Sequence, residues 1–237
     1  MSNGVTAWSY SRYADYKQCP LRFKLKHIDR MKEPGSPAMQ RGSDIHKEGE
    51  NYLVAAKKPR VVPKSYQHFA EEMAQLRSLN PLVEQQWGFT RDWSPTGWFG
   101  NDTWLRIVCD VVVLYDDNTV DLIDFKTGRK YDTNEEQVEL FSCAPFIKWP
   151  EVTQVRTRLW YLDADKDNEV IRDFARAPGV VGEDGEVLKD YETIRKGWEK
   201  KVVPMFKDKR FAPTPNAKCR WCAFSKDKGG PCQYNGG

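Results

Sequence analysis

The hydrophobic and polar positions of the chain follow two different periods, which predicts both helices and strands. Apolar residues recur every three or four positions, as in amphipathic helices, in five segments: 8–31, 38–57, 65–79, 134–147 and 190–207. Alternating or near-continuous apolar patterns predict strands at 83–91, 98–115, 119–126 and 153–162, with a turn at 100–102 inside the second. Helices, a meander, a crossover helix and a further strand indicate an α/β protein with a mixed central sheet flanked by helices.

Two of these strands form a predicted hairpin in the segment IVCDVVVLYDDNTVDLIDFKTG, residues 107–128. Residues 116–118 suit a three-residue loop, because Asn118 tolerates the left-handed conformation that such a loop requires. Tyr115 then pairs with Thr119, and the same register places Asp110 opposite Asp124. The helix that follows the hairpin predicts a right-handed crossover to a parallel strand at 153–162.

Asp110 and Asp124 are charged residues in strands that are otherwise almost continuously apolar. Two facing carboxylates repel each other, and their burial is costly unless a cation lies between them. Lys126 lies on the same face as Asp124, about 7 Å further along the strand. A solvated face could carry the same residues, but apolar strands of this kind are usually covered on both faces. The pattern therefore favours a site for Mg²⁺ or Mn²⁺ with a nearby ammonium.

At these residues the chain resembles the PD-(D/E)XK nuclease superfamily, and within it the RecB-like and AddB-like nucleases, which include CRISPR adaptation nucleases. The resemblance rests on Asp110 in IVCDVVV, on the D-x-K of DFK at 124–126, and on RGSDIH ahead of the core. It implies a restriction-endonuclease-like core and metal ligation by His46, Asp110, Asp124 and the backbone carbonyl of Phe125. It also implies catalytic roles for Asp110, Asp124, Lys126 and Gln137. Gln137 is followed by Phe141 where the family motif has Tyr.

Composition adds less to this prediction than the motifs do. The chain has 237 residues, of which 40% are hydrophobic and 30% charged, and no apolar run is long enough to span a bilayer. The first residues show no secretory signal, so we expect a cytoplasmic location. The net charge of +3 is weak evidence for any partner, although nine Trp, ten Tyr and eleven Phe could stack on bases as well as pack a core.

Six cysteines in a chain without a signal favour metal or redox chemistry over a disulfide framework. Cys219 and Cys222 form a C-x2-C pair, Cys232 follows, and Cys19 lies alone near the other end. In the RecB-like nucleases that carry an iron-sulfur cluster, one N-terminal and three C-terminal cysteines bind it, and the resemblance implies the same role here. Four thiolates suit a [4Fe-4S] cluster or a structural Zn²⁺. Cys109 and Cys143 lie in apolar contexts and are predicted to be ordinary buried thiols.

The motifs together predict one nuclease domain over residues 1–237. Its parts would be N-terminal helices (1–80), a nuclease core (81–165), and a C-terminal helix with a cluster-binding tail (166–237). The favoured function is a metal-dependent DNA exonuclease with a structural cluster, acting on DNA ends or single strands, with possible recombination or replication partner proteins. One alternative is a DNA-end-binding subunit of a recombination or CRISPR adaptation complex that cuts weakly or not at all. Another, a zinc-stabilised RNA-binding or regulatory domain, leaves the acids unexplained.

Overall fold

A computed structural model of the protein describes residues 3–54, 56, 60–130, 133–165 and 168–235. Seven strands form one mixed sheet in the order β2-β1-β3-β4-β5-β6-β7. Their bounds are β1 (Leu82–Phe89), β2 (Pro95–Thr96), β3 (Leu105–Leu114), β4 (Thr119–Lys126), β5 (Gln154–Tyr161), β6 (Glu169–Ala175) and β7 (Lys189–Asp190). The prediction of an α/β protein with a mixed sheet is confirmed.

Six α-helices and several short turns of other helix types occur in the described chain. The α-helices are α1 (Tyr10–Gln18), α2 (Pro20–Phe23), α3 (Pro37–Leu53), α4 (Ala70–Ser78), α5 (Thr133–Lys148) and α6 (Tyr191–Lys207). A π-helical turn covers Lys24–Ile28, and 3₁₀ turns cover Lys64–Phe69, Ala217–Trp221 and Lys226–Lys228. No described helix is both long enough and apolar enough to cross a membrane.

The chain divides into two compact units, which we call the cysteine unit (residues 1–36 and 199–237) and the sheet unit (residues 37–198). The sheet unit contains the whole seven-stranded sheet. All four cysteines predicted to bind a cluster fall in the cysteine unit. The single-domain organisation expected from the motifs stays a prediction.

The β3–β4 hairpin has the predicted register. Val111 pairs with Ile123, and Leu114 pairs with Val120. The backbone N–H of Tyr115 donates to Thr119, and Asn118 adopts the left-handed conformation with φ 64°. The loop chemistry and the hydrophobic pattern thus agree on one register, as expected where both strands are buried.

The sheet forks at the end of this hairpin ladder. Paired positions of β3 and β4 run only as far as Val111 and Ile123. Beyond them β3 continues against β1, whereas β4 continues against β5 in parallel. The parallel β4–β5 pair confirms the predicted crossover through α5. Because the strands part after residues 111 and 123, Asp110 and Asp124 lie at the point of the fork.

One face of the sheet is covered by α3, α4 and the 3₁₀ turn between them. Ile45, Tyr66, Val111, Phe125 and Trp160 belong to one buried cluster on this face. Phe69 stacks on Trp160 with ring centroids 4.2 Å apart. This apolar layer fixes α3 against the strands that carry the fork.

Gly49 allows α3 to approach the sheet closely. A Cβ at this position would lie 2.7 Å from the Cζ of Tyr66, so no larger residue fits without a shift. The Tyr66 hydroxyl donates to the carbonyl of Ile45 at 2.9 Å, one turn earlier in α3. Gly49 thus allows the short distance between the sheet and α3, the helix that carries His46.

Three predicted segments differ from the structure. The helix predicted at 8–31 is interrupted at Cys19, whose extended backbone follows from the Pro20 that comes next. The turn predicted at 100–102 is present, but residues 98–99 and 103–104, predicted as strand on either side of it, lie outside the strands, and β3 begins at Leu105. α3 ends at Leu53, and its predicted end at residue 57 lies outside the described residues.

Three strands, β2, β6 and β7, were not predicted from the sequence. β6 is antiparallel to β5 and carries charged residues that pair across the strands, as Arg156 does with Asp173 at 2.9 Å. β7 contains only two residues, Lys189 and Asp190, and pairs with the end of β6. Strands this short or this polar give no clear period-two pattern.

The cysteine unit joins residues from both ends of the chain. The rings of Tyr16 and Phe23 meet Phe211, with Phe23 and Phe211 stacked at 6.0 Å. The Tyr16 hydroxyl donates to Asp208 at 3.0 Å. These contacts bring the tail after α6 against α1 and α2, which is the arrangement that a shared cysteine site needs.

Candidate active site and cysteine pocket

The fork of the sheet holds the two predicted acids in a buried position. Asp110 is 7% exposed and Asp124 is 5% exposed. One carboxylate oxygen of Asp110 accepts the backbone N–H of Phe125 at 2.7 Å. It replaces the backbone carbonyl of β3 that would accept this N–H if β3 and β4 stayed paired. The carboxylate of Asp110 is therefore built into the fork and not free to rotate into solvent.

Asp124, Lys126 and Gln137 form a closed set of polar contacts. The Lys126 ammonium lies 2.6 Å from Oδ2 of Asp124 and donates to Oε1 of Gln137 at 2.8 Å. The amide nitrogen of Gln137 donates to Oδ1 of Asp124 at 3.1 Å. β4 supplies the acid and the lysine, two residues apart on one face, and α5 supplies the glutamine. The structure thus brings together three of the four residues for which the resemblance implies catalytic roles.

His46 reaches the other acid from α3. Its Nδ1 lies 3.3 Å from Oδ1 of Asp110 and 4.0 Å from Oε1 of Glu84. One ligand atom from each of these three residues lies within 4.8 Å of the other two. An imidazole and two carboxylates form a donor set that suits a hard divalent cation.

Glu84 was not predicted from the sequence, although it lies beside the two residues that were. Val83 pairs with Val111 and Gln85 with Cys109, so Glu84 lies opposite Asp110. Its backbone is left-handed, with φ 50°, inside strand β1. A charged residue in a predicted strand was the only sequence signal. The conformation that brings it to the site has no sequence signature, because non-glycine residues rarely adopt it.

The close charges shift the pKa values of several site residues. Burial alone would lower the pKa of His46, but the adjacent Asp110 carboxylate and the charges of Asp124 and Glu84 raise it above its ordinary value. Burial raises the pKa of Glu84, and the charge of Asp110 adds to this shift. Burial also raises the pKa of Asp124; the Lys126 ammonium opposes that shift and Asp110 adds to it. The site thus carries more negative charge than its own cations neutralise.

The site opens along α3. Residues of this helix and Glu84 line an open groove: Met39, Gly42, Ser43, Asp44, His46, Lys47, Glu50 and Glu84. The side chains of His46 and Glu84 are about one-third exposed, whereas those of Asp110 and Asp124 are below 10%. The groove therefore reaches His46 and Glu84, two of the three residues whose ligand atoms lie close together.

Phe125 and Phe141 have apolar surroundings. Phe125 is buried against His46 and Tyr66, with ring centroids 5.9 and 4.9 Å apart. Its backbone N–H is the group that bonds Asp110. Phe141, one turn after Gln137 in α5, is 5% exposed, so a phenyl ring suits a position where the family motif has a tyrosine.

Within the cysteine unit, the four predicted cysteines line one pocket. Cys19, Cys219, Cys222 and Cys232 all contribute to its wall, together with residues of α2 and of the proline-rich segment 213–215. All four are free thiols of intermediate exposure. The break between α1 and α2 lies at Cys19, at the wall of this pocket.

Backbone groups point at two of these sulfurs. The N–H of Thr214 donates to Sγ of Cys19, and the N–H of Asn216 donates to Sγ of Cys219, both at 3.4 Å. By contrast, Cys109 and Cys143 are fully buried, and burial raises the pKa of both thiols. Their prediction as ordinary buried thiols agrees with these surroundings.

Solved structures similar to this chain include two of low sequence identity. The crystal structure of SSO0001 has a TM-score of 0.45 and 14% identity, and the alignment covers 92% of this chain and 84% of that one. A "Putative exonuclease" from Eubacterium rectale has a TM-score of 0.48 and 13% identity, with 92% and 88% covered. No curated protein sequence matches the chain.

The comparison with protein families is more decisive. The family model for the PD-(D/E)XK nuclease superfamily matches residues 7–53 and 47–226, which is nearly the whole chain. The matched range includes the forked sheet, His46 and the DFK segment at 124–126. The chain therefore belongs to the PD-(D/E)XK nuclease superfamily.

Proposed function

We propose that the protein is a divalent-metal-dependent DNA exonuclease of the RecB-like type, with a structural metal centre at its four-cysteine pocket. The observation that carries this proposal is the fork of the sheet, where Asp110 and Asp124 lie buried beside His46, Glu84 and Lys126. Burial of two neighbouring carboxylates is costly without a cation. The intact acids and lysine favour cleavage over a role limited to binding DNA ends.

Three side chains are suited to hold Mg²⁺ or Mn²⁺: His46, Glu84 and Asp110, whose ligand atoms already lie close together. Asp124 and the carbonyl of Phe125 complete the set implied by the family resemblance. A cation bound there would stabilise negative charge on the scissile phosphate and lower the pKa of water.

The remaining residues position groups for the reaction. Lys126 holds its ammonium 2.6 Å from Asp124, and a positive charge at this position is suited to stabilise negative charge on a phosphate. Gln137 bonds both Lys126 and Asp124 and so keeps their side chains in one orientation. Phe125 and the apolar layer beneath α3 exclude water from one side of the carboxylates, which strengthens each electrostatic contact.

The four cysteines fit a metal centre that binds both chain ends. They line one pocket and are free, and two of them accept backbone N–H groups. A tetrahedral Zn²⁺ with Zn–S bonds of about 2.3 Å holds its four sulfurs within about 4 Å of one another. The same four thiolates suit a [4Fe-4S] cluster, so metal and sulfide analysis decides between the two centres.

The test of the proposed function is cleavage of end-labelled DNA with Mg²⁺ or Mn²⁺. Single- and double-stranded substrates, linear and circular, distinguish an exonuclease, which spares circles, from an endonuclease. We expect Asp110→Asn and Asp124→Asn to abolish cleavage while circular dichroism stays unchanged, because each removes a carboxylate charge without changing side-chain size. Cleavage by either variant at the parental rate would refute the site assignment. Binding of DNA ends without any cleavage by the parental protein would favour the alternative.

A further inference from the structure

The charge of the chain is divided unevenly between its two units. Residues 1–36 and 199–237, the cysteine unit, contain 16 Lys and Arg against six Asp and Glu, a net charge of +10. Residues 37–198, the sheet unit, contain 21 against 28, a net charge of −7. The small overall charge of +3 therefore conceals one strongly basic unit. Four thiolates and a metal centre would reduce this positive charge but not cancel it.

The acids near the N-terminus of the cysteine unit are already neutralised by its own bases. Asp15 contacts Arg22 and Lys26, and Glu33 contacts the same two residues. Asp29 pairs with Lys24 at 2.6 Å. Residues 1–36 keep an excess of four bases after these pairings, and residues 199–237 add nine bases against three acids, an excess of six.

Part of this excess lies in the loop segment that carries an exposed tryptophan. Lys218, Arg220, Trp221, Lys226 and Lys228 are all exposed, and we call them the basic loop surface. The Trp221 side chain is 63% exposed, so it makes little contribution to a core. The Arg220 guanidinium lies 3.6 Å from the centre of its ring, and Lys228 donates to the carbonyl of Arg220 at 2.8 Å.

The loop that carries Trp221 is held in place by its own hydrogen bonds. The side chain of Asn216 accepts the N–H of Lys218 at 2.9 Å, and the N–H of Cys222 donates to Cys219 at 3.0 Å. Trp221 is the last residue of a 3₁₀ turn, and it lies between Cys219 and Cys222, two cysteines of the pocket. A fixed aromatic ring with a stacked guanidinium and nearby ammonium groups is the combination that binds unpaired nucleic-acid strands.

We infer that the basic loop surface binds single-stranded DNA, with Trp221 stacked on one base and the surrounding lysines and Arg220 bound to phosphates. Phosphate contacts supply most of the sequence-independent affinity for DNA, and the acidic sheet unit is poorly suited to supply them. The inference rests on the proposed nuclease function and extends it, because it assigns binding of the DNA strand to a surface outside the catalytic fork. The cysteine unit would then anchor substrate as well as join the chain ends.

The experiment measures binding separately from cleavage. The Asp124→Asn protein, purified with metal at its four-cysteine pocket, is titrated with a fluorescein-labelled oligothymidine of about 20 nucleotides. Fluorescence anisotropy is followed from about 50 to about 300 mM salt. Three variants are compared with it: Lys226→Gln with Lys228→Gln, Arg220→Gln, and Trp221→Ala. The matched control is Lys148→Gln with Lys196→Gln, two exposed lysines of the sheet unit. Metal content and circular dichroism check that each variant is folded.

We expect the lysine pair to lower the salt slope of log K by about 1 for each phosphate contact removed. Trp221→Ala should weaken binding about tenfold with the salt slope unchanged, because a stacking contact carries no counterion release. Trp221→Phe should restore most of the affinity, and the control pair should bind like the parent. Parental affinity and slope in all three loop variants would overturn the inference, as would an equal loss in the control.

Two further results distinguish this inference from general polyanion binding and from the proposed nuclease function. Polyglutamate that competes as well as DNA at equal charge would show a general polyanion surface and overturn the assignment to nucleic acid. Cleavage is measured on the parental protein alone, so a protein that binds DNA through this loop but never cuts it would support this inference and refute the proposed function.

Discussion

At the scale of single residues, Lys126 has the most sharply defined surroundings in the fork. Its ammonium contacts Asp124 and Gln137. A protonated amine has no lone pair to offer a metal, so Lys126 is not a metal ligand. We therefore expect Lys126→Met, which keeps the aliphatic stem, to slow cleavage by about 10² to 10³ while Mn²⁺ affinity stays within about threefold. Single-turnover kinetics and calorimetric titration measure the two quantities.

Gln137 provides the comparison for Lys126. Gln137→Ala removes two hydrogen bonds that orient side chains but no charge, so a loss of about tenfold in the rate is expected. Full turnover by Lys126→Met would return the lysine to a structural role. A larger loss for Gln137→Ala than for Lys126→Met would reverse the assigned order of the two.

Glu84 combines backbone strain with a position beside His46 and Asp110, the other two candidate metal ligands. A non-glycine residue at φ 50° inside a strand costs about 1 to 3 kcal/mol. Glu84→Gly should relieve this strain and leave the free energy of unfolding unchanged or about 1 kcal/mol higher, yet weaken Mn²⁺ binding and slow cleavage. Glu84→Gln keeps the strain and loses the charge, so it should weaken binding without raising stability. Parental Mn²⁺ affinity in both variants would remove Glu84 from the site.

The same residues show what sequence could predict of the site. The opposition of Asp110 and Asp124 followed from loop chemistry and a two-residue period, both of which are local properties. The role of Gln137 was implied by the family resemblance and stays a prediction; the structure shows its hydrogen bonds with Lys126 and Asp124. Glu84 could not be predicted, because its approach depends on a left-handed backbone that no propensity favours.

At the scale of secondary structure, α3 is the element on which the site depends most. Gly49 lets it pack on Tyr66 and Phe125, three residues after His46. We expect Gly49→Ala to lower the free energy of unfolding by about 1 to 3 kcal/mol, because the Tyr66 ring must move. The same shift displaces the helix turn of His46, so cleavage should slow as well. Chemical denaturation and single-turnover kinetics test both effects.

Gly197 in α6 is the matched control for this prediction. A Cβ there would meet no heavy atom within 4 Å. Gly197→Ala should therefore raise the free energy of unfolding by about 0.5 to 1 kcal/mol, through helix propensity alone, and leave cleavage unchanged. Equal stability changes in the two alanine variants would mean that close packing at Gly49 does not position α3.

The elements themselves were predictable to different degrees. β4 and α5 have strong patterns, and their predicted bounds agree with the structure within one residue. The break at Cys19 has a local cause, because the residue before a proline avoids helical backbone angles. The helical period of the surrounding apolar residues gave no sign of it. β7 has only two residues, and its pairing depends on β6, so only the tertiary structure defines it.

At the scale of the whole molecule, the four-cysteine pocket joins residues that are far apart in the chain. Cys19 and Cys219 are 200 positions apart, and both line the pocket. By analogy with a disulfide, a metal centre that closes so long a loop restricts the unfolded chain by about 4 to 5 kcal/mol. The aromatic contacts of Tyr16, Phe23 and Phe211 stabilise the same closure without metal.

Loss of any one ligand should therefore destabilise the protein to a similar extent, wherever that ligand lies in the chain. We expect Cys19→Ala to lower the unfolding free energy as much as Cys222→Ala does, although Cys222 belongs to a C-x2-C pair and Cys19 does not. Cys143→Ala, a fully buried thiol outside the pocket, should keep the metal and cost only the small loss of a core sulfur atom. Metal content and chemical denaturation are measured on all three variants.

Metal analysis tests the proposed metal centre directly. After anaerobic purification, about four iron and four acid-labile sulfide per chain would support the [4Fe-4S] cluster, and a brown colour would accompany it. One zinc per chain would support the alternative, with the same dependence on all four cysteines. A parental protein that contains neither metal, and a Cys19→Ala variant as stable as the parent, would together refute a metal centre that joins the chain ends. In that case the Tyr16–Phe23–Phe211 contacts alone would have to hold the tail against the first helices.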